Sequence, residues 1–252
     1  MITNYYRPVT IDEAIRLIQT PDTFVMGGGT ILNRASEKHY SVVDLQSLDL
    51  NKIQEDKGKL TIGAATTLQM LMEHGLTPPV LKKAISFEEP LNIRNMGSVA
   101  GTLISADGRS PFSAVMLALD AKLTITGELS SKINLGDLLP LRMEQLTGKI
   151  ITQVEIPLNT SIAYEYVART PYGKPILCTA LTRWKSGRYR LVLGGWGNYP
   201  VTALDGNDPV GLEEAAVNAV RGSTDIWADE EYRRGISSPL VKRCLAELNQ
   251  PN

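Results

Sequence analysis

Three consecutive glycines, Gly27-Gly28-Gly29, follow the short apolar run Phe24-Val25-Met26 and lead into Thr30. Without Cβ atoms they let the backbone approach a neighbour or a ligand closely and turn its N–H groups inward. Such an amide nest, or a helix N-terminus beside it, suits phosphate oxygens without any basic side chain. A tight turn between a strand and a helix explains the run equally well. The spacing fits neither G-x-G-x-x-G nor G-x-x-x-x-G-K-[ST], which argues against a Rossmann fold or a P-loop. A second stretch, residues 92–107, carries small residues at 97, 98, 100, 101, 105 and 106. Alone it reads as a glycine-rich bend packed against the core. Together the two stretches can cradle a diphosphate from two sides.

The rest of the chain excludes more than it offers. Its 252 residues allow one or two domains, and 43% hydrophobic with 21% charged residues is a globular composition. A formal net charge of −1 gives no reason to expect nucleic acid or an anionic membrane as the main partner. Cys178 and Cys244 form no C-x-x-C pair, and His39 and His74 stand alone in polar stretches. A disulfide framework, a zinc site and a chain-borne iron–sulfur cluster are therefore not expected. The N-terminus has no signal-peptide core, and no run reaches the roughly 20 apolar residues that span a bilayer. A soluble, cytoplasmic protein is expected. No nucleophile elbow, H-E-x-x-H motif, carboxylate pair or Cys–His pair is present, so no catalytic residue is assigned. Binding loops without an acid, a base or a nucleophile fit redox chemistry carried by a cofactor.

Local signals outline the elements. Thr10-Ile11-Asp12-Glu13 is a capping box ahead of Ile11, Ala14, Ile15 and Ile18 at helical spacing, and Pro21 stops that helix. Phe24-Val25-Met26 and Val42-Val43-Asp44-Leu45 read as buried strands of a small α/β unit. Residues 60–64 begin a second unit, with helices expected behind the Thr67 cap, behind Thr77-Pro78 and behind Ser110-Pro111. Strands follow at 121–127, 131–135 and 150–157. Three β-rich segments, 163–169, 175–184 and 188–196, read as an antiparallel meander, and helices around 212–220 and 240–248 close the chain. A domain boundary is placed at 157–162.

In this order the landmarks resemble the FAD-binding (medium) subunit of the molybdenum hydroxylases, the family of the carbon monoxide dehydrogenase medium subunit and the xanthine dehydrogenase FAD domain. YYRPVTIDEAIRLI resembles the opening Y-x-x-P-x-x-x-x-E-A helix, VMGGGTIL the first flavin loop and KLTIGAATTLQML the L-x-I-G-A-x-T-T strand and helix. NIRNMGSVAGTLISAD resembles I-R-N-x-G-T-I-G-G-N-L-x-x-A-D, continued by SPFSAVMLALDA. ITQVEIP is similar to the closing strand, and EYRRGISSPLVKRCL to the C-terminal helix.

The resemblance implies an α+β fold. A two-part PCMH-type FAD-binding domain occupies 1–157 (sub-parts about 1–52 and 53–157). A C-terminal domain at 162–252 has a three-stranded antiparallel sheet and a helical bundle. It implies that Phe24, Val25, Met26, Gly27, Gly28, Gly29, Thr30 and Ile31 wrap the FAD diphosphate. Gly97, Ser98, Val99, Ala100, Gly101 and Thr102 would meet its other side and the ribityl chain, with Ile93 and Ile104 nearby. Ile151 and Tyr166 would line the isoalloxazine or adenine surroundings. Three positions depart from the family pattern: Thr102 stands for Asn, Pro111 for Asp and Tyr166 for Lys.

The function implied is electron transfer. A large partner would oxidise substrate at molybdopterin and a small partner would carry [2Fe–2S] clusters. The FAD held here would pass electrons to NAD or another acceptor. A flavin-poor scaffold that docks the partners is the alternative. A stand-alone oxidase of the vanillyl-alcohol-oxidase kind would need a larger substrate domain than the residues after Pro157 provide.

Overall fold

The computed structural model describes residues 1–32 and 37–250. Along the chain come β1 (Ile2–Tyr6), α1 (Ile11–Ile18), β2 (Thr23–Met26), β3 (Tyr40–Asp44), β4 (Ile53–Asp56), β5 (Lys59–Gly63) and α2 (Leu68–Glu73). Four helices follow, α3 (Pro79–Glu88), α4 (Leu91–Arg94), α5 (Val99–Ser105) and α6 (Pro111–Ala118). Then come β6 (Lys122–Thr126), β7 (Ser130–Asn134), α7 (Leu135–Gln145) and β8 (Ile150–Pro157). The last elements are β9 (Thr160–Val167), β10 (Leu177–Trp184), β11 (Tyr189–Gly194), β12 (Val201–Gly206), α8 (Leu212–Ala219) and α9 (Glu230–Leu248).

Two compact units result. Met1–Leu76, Pro90–Ser105 and Lys122–Glu155 form the first; Thr77–Glu89, Ala106–Ala121 and the chain from Ile156 onward form the second. The second unit thus takes α3 and α6 from sequence positions well before 157. The reason lies in α6, PFSAVMLA, which is buried at all eight positions and must be covered on every side.

The first unit holds a parallel sheet in the order β1-β3-β2 and a five-stranded sheet in the order β4-β5-β8-β6-β7. The Thr10 hydroxyl caps α1 by accepting from Glu13 N (3.2 Å), and Ala14 and Ile18 pack with Val43, Leu45, Leu48 and Ile150. Only Met26 of the expected buried strand Phe24-Val25-Met26 is buried; Phe24 and Val25 are 48% and 36% exposed. They are exposed because β2 is the edge strand of its sheet.

In the second unit the C-terminal sheet has four antiparallel strands, β12-β11-β10-β9, rather than three. The additional strand, VTALDG, lies at the sheet edge with no fully buried residue, so it carries no apolar run that the sequence reading could use. Leu177, Leu181, Leu191 and Leu193 face Leu212, Ala216, Leu240, Val241 and Cys244 of α8 and α9. The opposite face meets α6, whose Leu117 carbonyl accepts from Arg190 Nη1 (3.3 Å). Covered on both sides, β10 is buried over six consecutive residues instead of alternating. Two helix boundaries also move. Pro78 caps α3, so the helix begins one residue after the expected Thr77-Pro78 start. The last helix begins at Glu230, ten residues before the apolar-periodic stretch at Leu240, runs through Pro239 and contains the whole of EYRRGISSPLVKRCL, the stretch that resembles the family's C-terminal helix.

Candidate functional site

The glycine run leaves the C-terminal end of β2, the end of a parallel sheet where ligands characteristically bind. Its packing explains the glycines. A Cβ on Gly28 would lie 1.6 Å from the Met96 carbonyl oxygen, and one on Gly27 would lie 2.4 Å from Ser98 Oγ. Gly29 has φ +66°, in the left-handed region. The two small-residue stretches therefore press directly against each other.

The second stretch is held in turn by the segment that leads into α2. Leu68 N donates to Gly97 O (2.9 Å), Val99 N to Thr66 O (2.8 Å) and Ala100 N to Ala64 O (3.2 Å). Ile93 O accepts from Gly97 N (2.7 Å), closing the bend. Among the described residues, the amides of Gly27, Gly28, Gly29 and Thr30 donate to no backbone carbonyl. Unpartnered amides in a shared concavity are the donor set that a phosphate ester requires.

Both stretches face one cavity of about 630 Å³, within the ordinary range for small-ligand sites. Of the residues implicated by sequence, Phe24, Val25, Met26, Gly27, Gly28, Gly29, Thr30 and Ile31 line it. So do Ser98, Ala100, Gly101, Thr102, Ile104 and Ile151. Val99 points into the core, Gly97 and Ile93 shape the bend behind the wall, and none of these three lines the cavity. Tyr166 lies in the second unit on β9, its ring 4.8 Å from Phe87 and 5.9 Å from Tyr164. Pro111 is the first residue of α6, also in the second unit.

The wall chemistry is specific. Phe24, Val25 and Ile31 expose large apolar groups to it. Thr102 Oγ1 donates to Ser98 O (2.9 Å) and Ser105 Oγ to Gly101 O (2.7 Å), so both hydroxyls keep only acceptor capacity toward a ligand. Just outside, the buried Asp44 carboxylate takes hydrogen bonds from Gln46 N (2.9 Å) and Tyr5 Oη, and the bond to Asp44 raises the Tyr5 phenol pKa.

A third wall was not found from sequence. Arg142, Met143 and Leu146 with residues 147–150 also line the cavity, as do residues 20–23. α7 carries Pro140 inside it and a non-helical Leu141 (φ −115°, ψ 17°), so no regular period marks it. The charged lining is Arg142, Lys149 and Asp22, an excess of one cation. Among the described residues the lining contains no histidine, cysteine or glutamate. A flat dinucleotide with a diphosphate fits it: unpartnered amides for the phosphates, acceptor oxygens for hydroxyls and apolar walls for rings.

The family profile described as "FAD binding domain in molybdopterin dehydrogenase" matches residues 1–159. The chain is 30% identical over 277 residues to the xanthine dehydrogenase FAD-binding subunit of Escherichia coli O157:H7, covering 97% of this chain and 95% of that one. It is 27% identical over 262 residues to protein YgfM of Escherichia coli (strain K12), covering 99% and 98%. Quinoline 2-oxidoreductase from Pseudomonas putida 86 shares the fold with a TM-score of 0.81 at 21% identity, over 97% of this chain and 96% of that one.

Proposed function

The chain belongs to the family of FAD-binding domains of molybdopterin dehydrogenases, and from that premise we propose that it passes electrons from the [2Fe–2S] clusters of a small partner subunit to NAD or another acceptor. It is an FAD-binding oxidoreductase component of the molybdenum hydroxylase type. In this reading a large molybdopterin subunit selects and oxidises the substrate, and the whole complex works in the cytoplasm. Among the described residues no helix is long and apolar enough to cross a membrane. The FAD-binding domain is assigned to 1–157 and the domain that completes the flavoprotein subunit to 162–252.

One observation carries the reading. Two glycine-rich stretches, locked together at Gly28 and Met96, line one cavity, and among the described residues the amides of Gly27 to Thr30 donate to no backbone carbonyl. Gly27 to Thr30 would hold the diphosphate through backbone N–H groups. Ser98, Gly101 and Thr102 would receive ribityl hydroxyls on acceptor oxygens. Phe24, Val25, Ile31 and Ile104 would exclude water from the rings. FAD, when bound, supplies the capacity to accept and release electrons singly or in pairs. The protein's part is to bind it, orient it and keep it dry.

The test is titration of the purified full chain with FAD, followed by flavin fluorescence and thermal unfolding. Binding near one FAD per chain is expected. At a hundredfold excess over Kd, linkage adds about 2.7 kcal/mol of stability and a clear rise in Tm. Saturating FAD that leaves both fluorescence and Tm unchanged overturns the reading. The chain would then be a flavin-poor scaffold, the alternative favoured by the internally bonded Thr102 hydroxyl.

A further inference from the structure

The second unit carries exposed apolar side chains that the flavin reading does not use. Tyr172 is 88% exposed, Ile226 85% and Trp227 37%. Hydrogen bonds gather them on one surface. Residues 169–175, with Tyr172 near the middle, are tied at both ends to the Trp227 region. Arg169 Nη2 donates to Trp227 O (3.0 Å), while Arg109 Nε and Nη2 donate to Pro175 O (3.0 Å) and Lys174 O (2.8 Å). Both guanidiniums stand over the Trp227 ring, Arg109 at 4.0 Å and Arg169 at 5.4 Å from its centroid. Large apolar groups collected in water mark an interaction surface.

The surface is held in shape from beneath. Trp227 N donates to Asp225 Oδ1 (2.8 Å), and both Asp225 oxygens accept from Nη2 of the buried Arg233 (2.9 Å each). Arg233 also donates to Ala228 O and Ile176 O (3.0 Å each). Preorganised Trp, Tyr and Arg side chains lose little entropy on association and carry most of the energy at protein interfaces. The charge here is divided. Arg109 and Arg169 hydrogen-bond to neutral carbonyls, and the nearby Asp107 carboxylate accepts from the Arg109 amide (2.9 Å). Two residues beyond Trp227, Asp229, Glu230 and Glu231 open α9. Asp229 accepts from Tyr232 N (2.8 Å) and Glu230 lies 3.9 Å from Arg234, whereas Glu231 stands exposed.

We propose that Tyr172, Ile226 and Trp227 form the centre of a two-fold interface between two copies of this chain, with Arg109 and Arg169 of one copy facing the carboxylates of Asp229 to Glu231 on the other. An isologous interface needs a patch that complements itself, so that each pairing occurs twice about the axis. An apolar centre with cations on one flank and carboxylates on the other meets that condition. An acidic partner protein would match the arginines and set like charge against Asp229 to Glu231, and a basic one would do the reverse. A second copy turned about a two-fold axis avoids both conflicts. The inference does not depend on FAD.

Sedimentation velocity of the purified full chain over a concentration series tests it. A monomer–dimer equilibrium is expected, weakening as salt screens the charged flanks. Ile226→Ser and Trp227→Ala should each raise the dimer Kd by about tenfold or more. Arg169→Glu and Glu231→Arg should each be monomeric alone and dimerise when mixed, because the mixture restores opposite charges at both repeats of the contact. Ile226, Arg169 and Glu231 are exposed, so their variants should keep the native Tm, which separates lost association from lost folding. A chain that stays monomeric at every concentration overturns the proposal. So does a dimer that Ile226→Ser and the charge reversals leave unchanged. A monomeric chain whose Ile226→Ser variant falls away from the copurified complex also overturns it, since a partner subunit then covers the surface. Flavin content is read separately, so the FAD reading and this one stand or fall on different measurements.

Discussion

Gly28→Ala isolates the contact on which the site is built. The added Cβ would sit 1.6 Å from Met96 O and 2.5 Å from Met96 C, less than half to about two-thirds of normal contact distances, and the obstruction is backbone. The loops must therefore move apart. Met96 is not free to yield, because Leu68 N holds Gly97 O at 2.9 Å and Ile93 O holds Gly97 N at 2.7 Å. Gly29→Ala is a graded control, since it forces a left-handed alanine at a cost of about 1–2 kcal/mol. For a chain of this size each 1 kcal/mol moves Tm by roughly 2–4 °C. Gly29→Ala should thus lower the ligand-free Tm by several degrees and keep measurable FAD binding. Gly28→Ala should lower it further and abolish flavin retention. Differential scanning calorimetry with flavin quantified per folded chain reads both. A Gly28→Ala chain with native Tm and full flavin occupancy would refute the loop contact.

Two further expectations concern the second unit. The fully buried Arg233 donates to Ile176 O (3.0 Å), Ala228 O (3.0 Å), Gly195 O (3.4 Å), Ser223 O and both oxygens of Asp225 (2.9 Å each). Arg233→Met orphans that set, and an expected loss of about 3–5 kcal/mol would be read as a lower urea midpoint; a midpoint equal to native contradicts the role. Arg233→Lys should fail to rescue, for want of the planar fork. Burial raises the Glu88 carboxyl pKa above its ordinary 4.5, although Ser110 Oγ (2.7 Å) and Phe112 N (3.0 Å) donate to it. With the folded pKa raised, the folded chain holds a proton that the unfolded chain releases, so stability falls as pH rises above about 4.5. Glu88→Gln should flatten that fall in urea midpoints measured across pH, and an unchanged slope would remove Glu88 as its source.

How much was legible follows from what each residue was needed for. Caps were read well, because Thr10, Thr67 and Ser110 act on amides three residues on, whatever the tertiary context. The meander was read from its apolar runs and undercounted by β12, an edge strand with little to bury. The first half of α9 was illegible from periodicity because its buried face begins with Arg233 and Ser237 rather than aliphatic residues, and Gly235 and Pro239 read as breakers. The α7 wall was illegible for a similar reason. Its cavity-lining residues follow a proline break, and an exposed methionine on such a segment carries no core signal.

The glycine run is the more instructive case, since its position was legible and its cause was not. From sequence, a packed bend and a ligand cradle are rival explanations for a missing side chain. At Gly28 the geometry makes them one. The Cβ is excluded by Met96 O, and that same close approach sets Gly27 against Ser98 where residues 27–30 line the cavity. A ligand would benefit from an arrangement whose steric demand is already met in its absence. The demand falls on the protein's own fold, so loss of flavin and loss of stability should go together at Gly28.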